Sequence, residues 1–445
     1  MMEPFLQKLT LALGQFPVMP DTPRVDVAYS GGLDSTVLLT ALTRLELEMP
    51  IRALHIDHGL HPDSGNWTQH CRQIAAELDV AFDSRRVEIP DVRGRSLEAS
   101  AREIRYATLG EMMEPAELLL TAHHSDDQLE TVLYRLLRGS GVKGLRGIAP
   151  FARLGPGHIG RPMLTMSKEE IRGIGKDWNL SWVEDPTNLD LRFDRNYLRR
   201  EVVPRLQLRW PSAAVTVGRA ARQMTDAQDI LDSVALEDSA CIESADRISQ
   251  PYLRALSATR RANLLRYLIF KVGLPVPNAK QLKALLAATD VTRPDAQTQV
   301  QWPGGEGRIF RGQLYLFKPM APCSGPEYRG SLNRSNSWQG PEGRLELRRT
   351  DGPGLPDSWA QHGLTVRFRV GGERFKPIQQ GHTRKLKKWL QLAGVVPWMR
   401  GRIPLLYRES TLVAVGDLWL SDQVRQIETG EPAWRVDWSD HPPVN

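Results

Sequence analysis

Six consecutive residues, Ser30-Gly31-Gly32-Leu33-Asp34-Ser35, have the makings of an anion cradle. Gly31 and Gly32 let the backbone turn sharply and approach a ligand closely. The amides from Gly31 to Ser35 then converge where a helix begins, and the dipole there favours negative charge. The Ser30 and Ser35 hydroxyls add donors. The common nucleoside-triphosphate loop, Gly-x-x-x-x-Gly-Lys-Ser/Thr, sets a lysine on the outer phosphates. Here Asp34 stands instead, and a carboxylate beside a pyrophosphate repels it unless Mg²⁺ bridges the two. Asp34 is therefore the expected Mg²⁺ ligand.

A second group, His123-His124-Ser125-Asp126-Asp127-Gln128-Leu129-Glu130, follows the apolar run Leu118-Leu119-Leu120. Ser125 with Gln128 fits a capping box that starts a helix near Asp126. Asp127 and Glu130 (i,i+3) then share a face, as do Asp126 and Glu130 (i,i+4). Three carboxylates here can hold Mg²⁺ or grip an amine. Either histidine of the pair can hydrogen-bond a phosphate or move a proton near neutral pH. In His55-Ile56-Asp57-His58-Gly59-Leu60-His61 the histidines suggest a metal at first sight. A strand, however, points residues three apart to opposite faces, and no cysteine joins them. His55 and Ile56 are better read as lining a nucleotide pocket.

Cationic residues lie near these groups. Arg102 is i,i+4 from Glu98, and either Arg102 or Arg105 suits charge developing on a pyrophosphate. Arg138 opens Arg138-Gly139-Ser140-Gly141-Val142-Lys143-Gly144, read either as a helix C-cap or as a loop closing over substrate. After the turn at Asp185-Pro186 come Arg195, Arg199 and Arg200, which either dock RNA or pair with Asp194 and Glu201.

The elements that position these residues alternate. Strand-like Val25–Ser30, Ile51–Asp57, Arg86–Ile89 and Glu117–Ala122 are interleaved with helical stretches at 37–42, 72–78, 97–113 and 126–137. The rhythm predicts a doubly wound parallel sheet over 1–215, its ligands beyond the carboxyl ends of the strands. Helical patterns at 215–236, 260–271 and 278–287 predict a small, mostly helical domain over 216–320. A Pro/Gly/Ser/Asn-rich linker at 321–343 and an α+β domain at 344–445 follow, the latter with a basic helix bearing Lys387 and Lys388.

The chain has 445 residues, 41% of them hydrophobic, and a net charge of +6, compatible with a nucleic-acid partner. It has no run of eighteen apolar residues and no basic-then-apolar leader, so neither a membrane span nor a signal peptide is expected. Cys71, Cys241 and Cys323 are far apart, which suits a reducing cytoplasm.

Taken in order, these groups resemble the bacterial tRNA(Ile)-lysidine synthases, a branch of the PP-loop ATPases. The Ser-Gly-Gly-x-Asp-Ser loop alone indicates the wider superfamily. His-His-x-Asp-Asp-Gln-x-Glu-Thr narrows it, together with Gly371-Gly372-Glu373-Arg374, Leu386-Lys387-Lys388-Trp389, Val396-Pro397-Trp398 and Pro404-Leu405-Leu406-Tyr407. The resemblance implies a ligase that uses ATP and Mg²⁺. It adenylates C2–O of the wobble cytidine in the CAU anticodon of tRNA(Ile). The ε-amine of free lysine then displaces AMP, and decoding switches from AUG to AUA. It further implies ATP on Ser30–Ser35, His55 and Ile56, with catalysis by Asp34, Asp126, Asp127, Glu130, His123 and Arg102. Lysine, cytidine or tRNA would meet Asp127, Glu130, Arg138, Arg195, Arg199, Lys387 and Lys388. Which carboxylate holds lysine and which the cytidine stays open, and a homodimer is admitted. A PP-loop thiolase would need paired cysteines near the loop, which are missing. A non-catalytic RNA-binding protein would not need the intact acidic motif.

Overall fold

The computed structural model describes residues 2–444 apart from 60–62, 89–96, 185–189, 292–297, 323–328, 336, 341, 379, 427–431 and 442–443. Leu60, His61, Ile89, Cys323 and the Asp185–Asn188 turn, named above, lie outside the described residues. The chain divides into two compact units, Met1–Leu231 and Asp232–Asn445.

The first unit begins with α1 (Met2–Gly14), β1 (Val25–Ala28), α2 (Leu33–Arg44), β2 (Ile51–Asp57), α3 (Ser64–Glu77), β3 (Ala81–Arg86), α4 (Leu97–Met112) and β4 (Leu118–Leu120). It continues through α5 (Ser125–Leu137), α6 (Val142–Leu145), β5 (Phe151–Leu154), β6 (Gly157–Gly160), α7 (Lys168–Asp177), α8 (Asp194–Tyr197), α9 (Val203–Arg209) and the first part of α10 (Ala213–Ser239), whose residues from Asp232 belong to the second unit. The strands form one sheet in the order β3-β2-β1-β4-β6-β5. All pairs are parallel except β5 with β6, which closes one edge as an antiparallel hairpin.

The strand sequences explain the two covered faces. Val25, Val27, Leu118 and Leu120 point into a core shared with Phe5, Leu38 and Ile171. Leu54 and Leu119 point the other way, against Leu109, Met112 and Ile159. Alternation within a strand buried on both sides produces this split. At the sheet's far end Asp26 is buried, and Arg52 grips it through two bonds of 2.8 and 3.0 Å while also reaching Glu117 at 3.1 Å.

The order of the strands decides where the site lies. From β1 the chain winds outward to β2 and β3; β4 then pairs on the other side of β1. The turns leaving β1 and β4 therefore diverge from adjacent strands, and such a switch point opens a crevice for ligands.

In the second unit the stretch read as mostly helical also carries a four-stranded antiparallel sheet. Its strands, in spatial order, are Arg247–Ser249, Gln313–Phe317, Gly305–Phe310 and Gln299–Trp302. The helices Gln250–Ala255, Ala258–Lys271 and Ala279–Asp290 accompany it. Gly330–Leu332 and Trp338–Gly340, within the expected linker, are strands whose Leu332 and Trp338 are buried. They join two further sheets with Leu364–Arg367, Leu405–Arg408 and Thr411–Val415, and with Gly343–Thr350 and Ala433–Ser439. Trp398 sits among the rings of Phe310, Tyr315 and Phe317, with centroids 6.3, 5.3 and 5.7 Å away. Among the described residues no helix is long and apolar enough to cross a membrane.

Candidate active site

The loop after β1 is built from its own hydroxyls. Ser35 Oγ accepts from Ser30 N–H at 3.3 Å, lies 3.1 Å from Ser30 Oγ, and donates to Gly32 C=O at 3.0 Å. Gly31 has φ +78°, and a Cβ there would meet Cys71 Sγ at 2.7 Å, so only glycine suits the position. Gly31 C=O accepts from Val183 N–H at 2.9 Å, which ties the Trp182-Val183-Glu184 segment to the loop. Gly32 precedes α2 in an extended conformation, and no side chain caps the helix. The first-turn amides of α2 are thus left for an anion.

Asp34 follows on the first turn of α2. Its Oδ1 is buried and accepts no hydrogen bond among the described residues, although the side chain is 34% exposed. A hard cation would supply the missing partner. Mg²⁺ typically takes one or two carboxylates and completes its shell with phosphate oxygens and water, so this lone oxygen fits it. Among the described residues no group of three His, Cys, Asp or Glu forms a ready metal cage.

The turn after β4 lies beside this loop. His124, not Ser125, caps α5: its Nδ1 accepts from Asp126 N–H at 3.3 Å, and Asp127 Oδ2 accepts from His124 N–H at 2.9 Å. The box expected from Ser125 and Gln128 fails because the Gln128 amide is spent on Ile148, donating to its C=O at 3.2 Å and accepting from its N–H at 2.5 Å. The cap has a consequence for the site. In the neutral ring, with Nδ1 accepting, the proton sits on Nε2, which lies 3.5 Å from both Asp34 Oδ2 and Asp127 Oδ2; a second proton goes to Nδ1 and takes that acceptor from the cap. Burial opposes charge on His124, but Asp127, Asp34 and Asp126 together hold its pKa above the ordinary value.

The acidic residues divide. Asp127 and Glu130 converge on Arg199, as the i,i+3 spacing allows. Its Nε donates to Glu130 Oε1 at 2.7 Å, and its Nη2 to Glu130 Oε2 at 2.8 Å and Asp127 Oδ1 at 3.0 Å. Arg199 rides on a single π-helical turn, Leu198–Val202, a local widening of the helix that often marks functional positions. It pairs with neither Asp194 nor Glu201, the alternatives read from sequence. Asp126 leaves the group and bonds Gln207 at 3.2 Å and Ser125 at 3.2 Å. Burial raises Glu130, only partly offset by Arg199. Asp127 goes down: burial opposes this, but His124, His123 and Arg199 outweigh it.

His123 differs from the sequence reading. Burial, helped by Arg161, Arg102 and Arg105, drives its pKa down to about 3, and its Nδ1 lies 2.7 Å from Thr121 Oγ1. It is neutral across the physiological range and is not the group that exchanges a proton near pH 7. His55 also departs from expectation. Its two ring nitrogens are taken by Tyr29 C=O (2.9 Å) and Thr68 Oγ1 (3.2 Å). The buried ring therefore braces the start of the loop, leaving only backbone at His55 and Ile56 to face a ligand. Arg102 and Arg105 lie over the Tyr106 ring at 5.1 and 5.4 Å, on the side of His123.

The segment after α5 is an ordered C-cap here. Gly139 takes φ +72°, and α6 follows, its Gly144 C=O bonded by Arg135 at 2.9 Å. Lys387 and Lys388 are exposed on the helix Leu386–Leu392 in the second unit. Of the basic residues in Ala258–Lys271, Arg260 is tied to Asp238 at 2.7 Å and Arg261 to Asp290 at 2.5 Å. Arg266 and Lys271 are exposed. Sequence reasoning missed Gln207, which bonds Asp126, and Arg161, which helps lower His123; each is a single residue in no motif.

Three family models match the chain: a PP-loop domain at residues 4–206, a TilS substrate binding domain at 249–315 and a TilS substrate C-terminal domain at 364–438. Curated relatives match over nearly the full length. The tRNA(Ile)-lysidine synthase of Alkalilimnicola ehrlichii is 39% identical over 433 residues, covering 94% of each chain. That of Xanthomonas campestris is 38% identical over 439 residues, covering 98% of this chain and 99% of its own. This chain belongs to the tRNA(Ile)-lysidine synthase family. The Coxiella burnetii member is 38% identical over 392 residues, 87% of each chain. A solved U34-tRNA thiolase from Methanococcus maripaludis aligns with a TM-score of 0.43 at 14% identity over 50% of this chain and 78% of its own, too distant to add to the family assignment.

Proposed function

We propose that this chain ligates free lysine to C2 of the wobble cytidine of tRNA(Ile) bearing a CAU anticodon, as a cytoplasmic enzyme, splitting ATP into AMP and pyrophosphate. One observation carries the reading: His124 Nε2 stands 3.5 Å from both Asp34 and Asp127, joining the phosphate cradle to the acidic start of α5. The cytidine oxygen O2 attacks the α-phosphorus and pyrophosphate leaves into the amides of Gly31–Ser35. The lysine ε-amine then attacks C2, AMP departs with O2, and the amine gives up a proton. Asp34 would hold Mg²⁺, whose charge offsets that of the outer phosphates.

The opposite pKa directions of two neighbouring carboxylates divide the remaining work. Asp127, held ionised, binds the cationic amine. Glu130, pushed up by burial, accepts its proton once Arg199 has shifted. Arg102 and Arg105 lie beside His123 and would meet phosphate charge. Exposed Lys387, Lys388, Arg266 and Lys271 would bind tRNA outside the anticodon, with 216–320 and 344–445 kept as the tRNA-docking domains and 321–343 between them. The target base must leave its stack, which a splayed anticodon loop permits.

Radiolabelled lysine offered with ATP and a tRNA(Ile) transcript tests this. Lysine-dependent label in RNA with AMP and pyrophosphate is expected; ADP and orthophosphate, or no label, would sink the proposal. Affinity for tRNA should fall with salt by roughly 0.7–0.9 log units per phosphate contact per log unit of salt.

A further inference from the structure

The face of α5 that carries the chemistry continues past it. Residues four apart recur on one helix face, so Glu130, Tyr134 and Arg138 form a row. Each step of four residues advances about 6 Å. Beside this row α8 brings in Arg195. Its Cζ lies 5.9 Å from the Tyr134 ring centre, and Arg138 Cζ lies 5.2 Å from it. Arg138 Nη1 also donates to the Tyr134 hydroxyl at 2.7 Å. Arg138 is exposed and pairs with no carboxylate among the described residues.

Arg135, on the next helical position, feels repulsion from Arg195 and Arg102 in addition to its burial. Exposed apolar groups, Leu137 at 74% and Tyr197 at 51%, continue the surface. A half-buried aromatic ring flanked by guanidiniums, one turn from an acidic catalytic centre, suits a stacked base with its phosphate beside it.

We propose that Tyr134, flanked by Arg138 and Arg195, is the stacking platform for the nucleotide adjacent to the modified cytidine. The inference rests on the tRNA-modifying activity proposed above. Tyr134 is a positioning residue: it holds the neighbouring base so that the target, one step along the RNA, reaches Asp127 and Glu130. Arg138 and Arg195 pair with the phosphate between them and stack on the exposed face of the base.

The test uses the full chain and two tRNA(Ile) transcripts. One carries 2-aminopurine in place of the adenosine of CAU, the other in place of the nucleotide before the cytidine. Binding to the unmodified chain should quench one of them. Tyr134→Ala should lose that quench and raise KM for tRNA about 5- to 150-fold, the span of one lost base–aromatic stack. ATP affinity and the melting temperature should stay put, and Tyr134→Trp should restore the quench. Quench in neither RNA, or an unchanged KM in Tyr134→Ala, overturns the platform. So does failure of Tyr134→Trp to rescue, which would mean that the hydroxyl merely anchors Arg138. An unmodified chain that puts no labelled lysine into tRNA fails at the activity itself, a result distinct from these.

Discussion

The turn after β1 and the turn after β4 are neighbours, yet they are finished to different degrees. Around Ser30–Ser35 the side chains bond one another while the first amides of α2 and Asp34 Oδ1 are left open. Around Asp127 and Glu130 nothing is left open, because Arg199 supplies both carboxylates with a cation. The difference follows from what each ligand can do. A phosphate brings its own charge and its own metal, and backbone amides can wait for it in water at little cost. Two carboxylates left bare, Glu130 buried and Asp127 partly so, would repel each other and lose hydration. Arg199 supplies that cation in the structure, and on the reading proposed above an incoming amine would take its place.

The largest expected effect tests the open side. Asp34→Ala should lower the rate of lysine-dependent AMP formation by at least about 10³-fold while tRNA affinity changes by less than about twofold. Normal AMP release by this variant would show that the orphaned oxygen has no catalytic use.

The closed side is tested by stability. Arg199→Gln strands two carboxylates and should cost about 3 kcal/mol in urea unfolding. Adding Glu130→Gln should recover a large part of it, a coupling of about 1–3 kcal/mol. Strict additivity would mean that the three groups do not act as one cluster.

Gly31→Ala comes next, at about 1–2 kcal/mol for a left-handed residue with a side chain, plus a weaker grip on ATP. Replacing Cys71 by Ala as well should relieve the contact but not the backbone cost. A Gly31→Ala protein as stable as the original would contradict the loop geometry.

The smallest effect is a slope against pH. His124 has a raised pKa in the folded chain. Its contribution is therefore complete below about 6.5, the unfolded value, and is lost as pH rises through the higher folded value. The stability difference between the original chain and His124→Gln should shrink over that range. A difference flat from pH 5 to 9 would remove His124 as the charged link between the two turns.

Much of this was legible in the residues, and the gaps have physical causes. Ile51–Asp57 was read with the bounds it takes. β3 was read at Arg86–Ile89 but lies at Ala81–Arg86, because an edge strand with one paired side and exposed residues lacks the apolar pattern of its neighbours. Gly305–Phe310 was missed because glycines interrupt it. One of them, Gly307, lacks a side chain where Leu285 and Leu314 close over it. Both signature turns were visible, but their adjacency was not, since it depends on β4 pairing with β1 across the intervening chain. Arg199 meeting Glu130 is likewise a contact across 69 positions, and no local pattern announces it. His124 looked like one of two interchangeable histidines. Only the tertiary setting separates a neutral ring at 123 from one held protonatable at 124.

Trp398 has a further consequence. The family models match 249–315 and 364–438 as separate segments, yet this indole is seated among three rings from the first of them and its immediate continuation. A recombination event that joined the front segment of one lineage to the rear segment of another would hand the indole a foreign socket. Such hybrids should persist only where all three rings come with compatible shapes. The two segments are therefore bound to be inherited together, even though each is recognisable by itself.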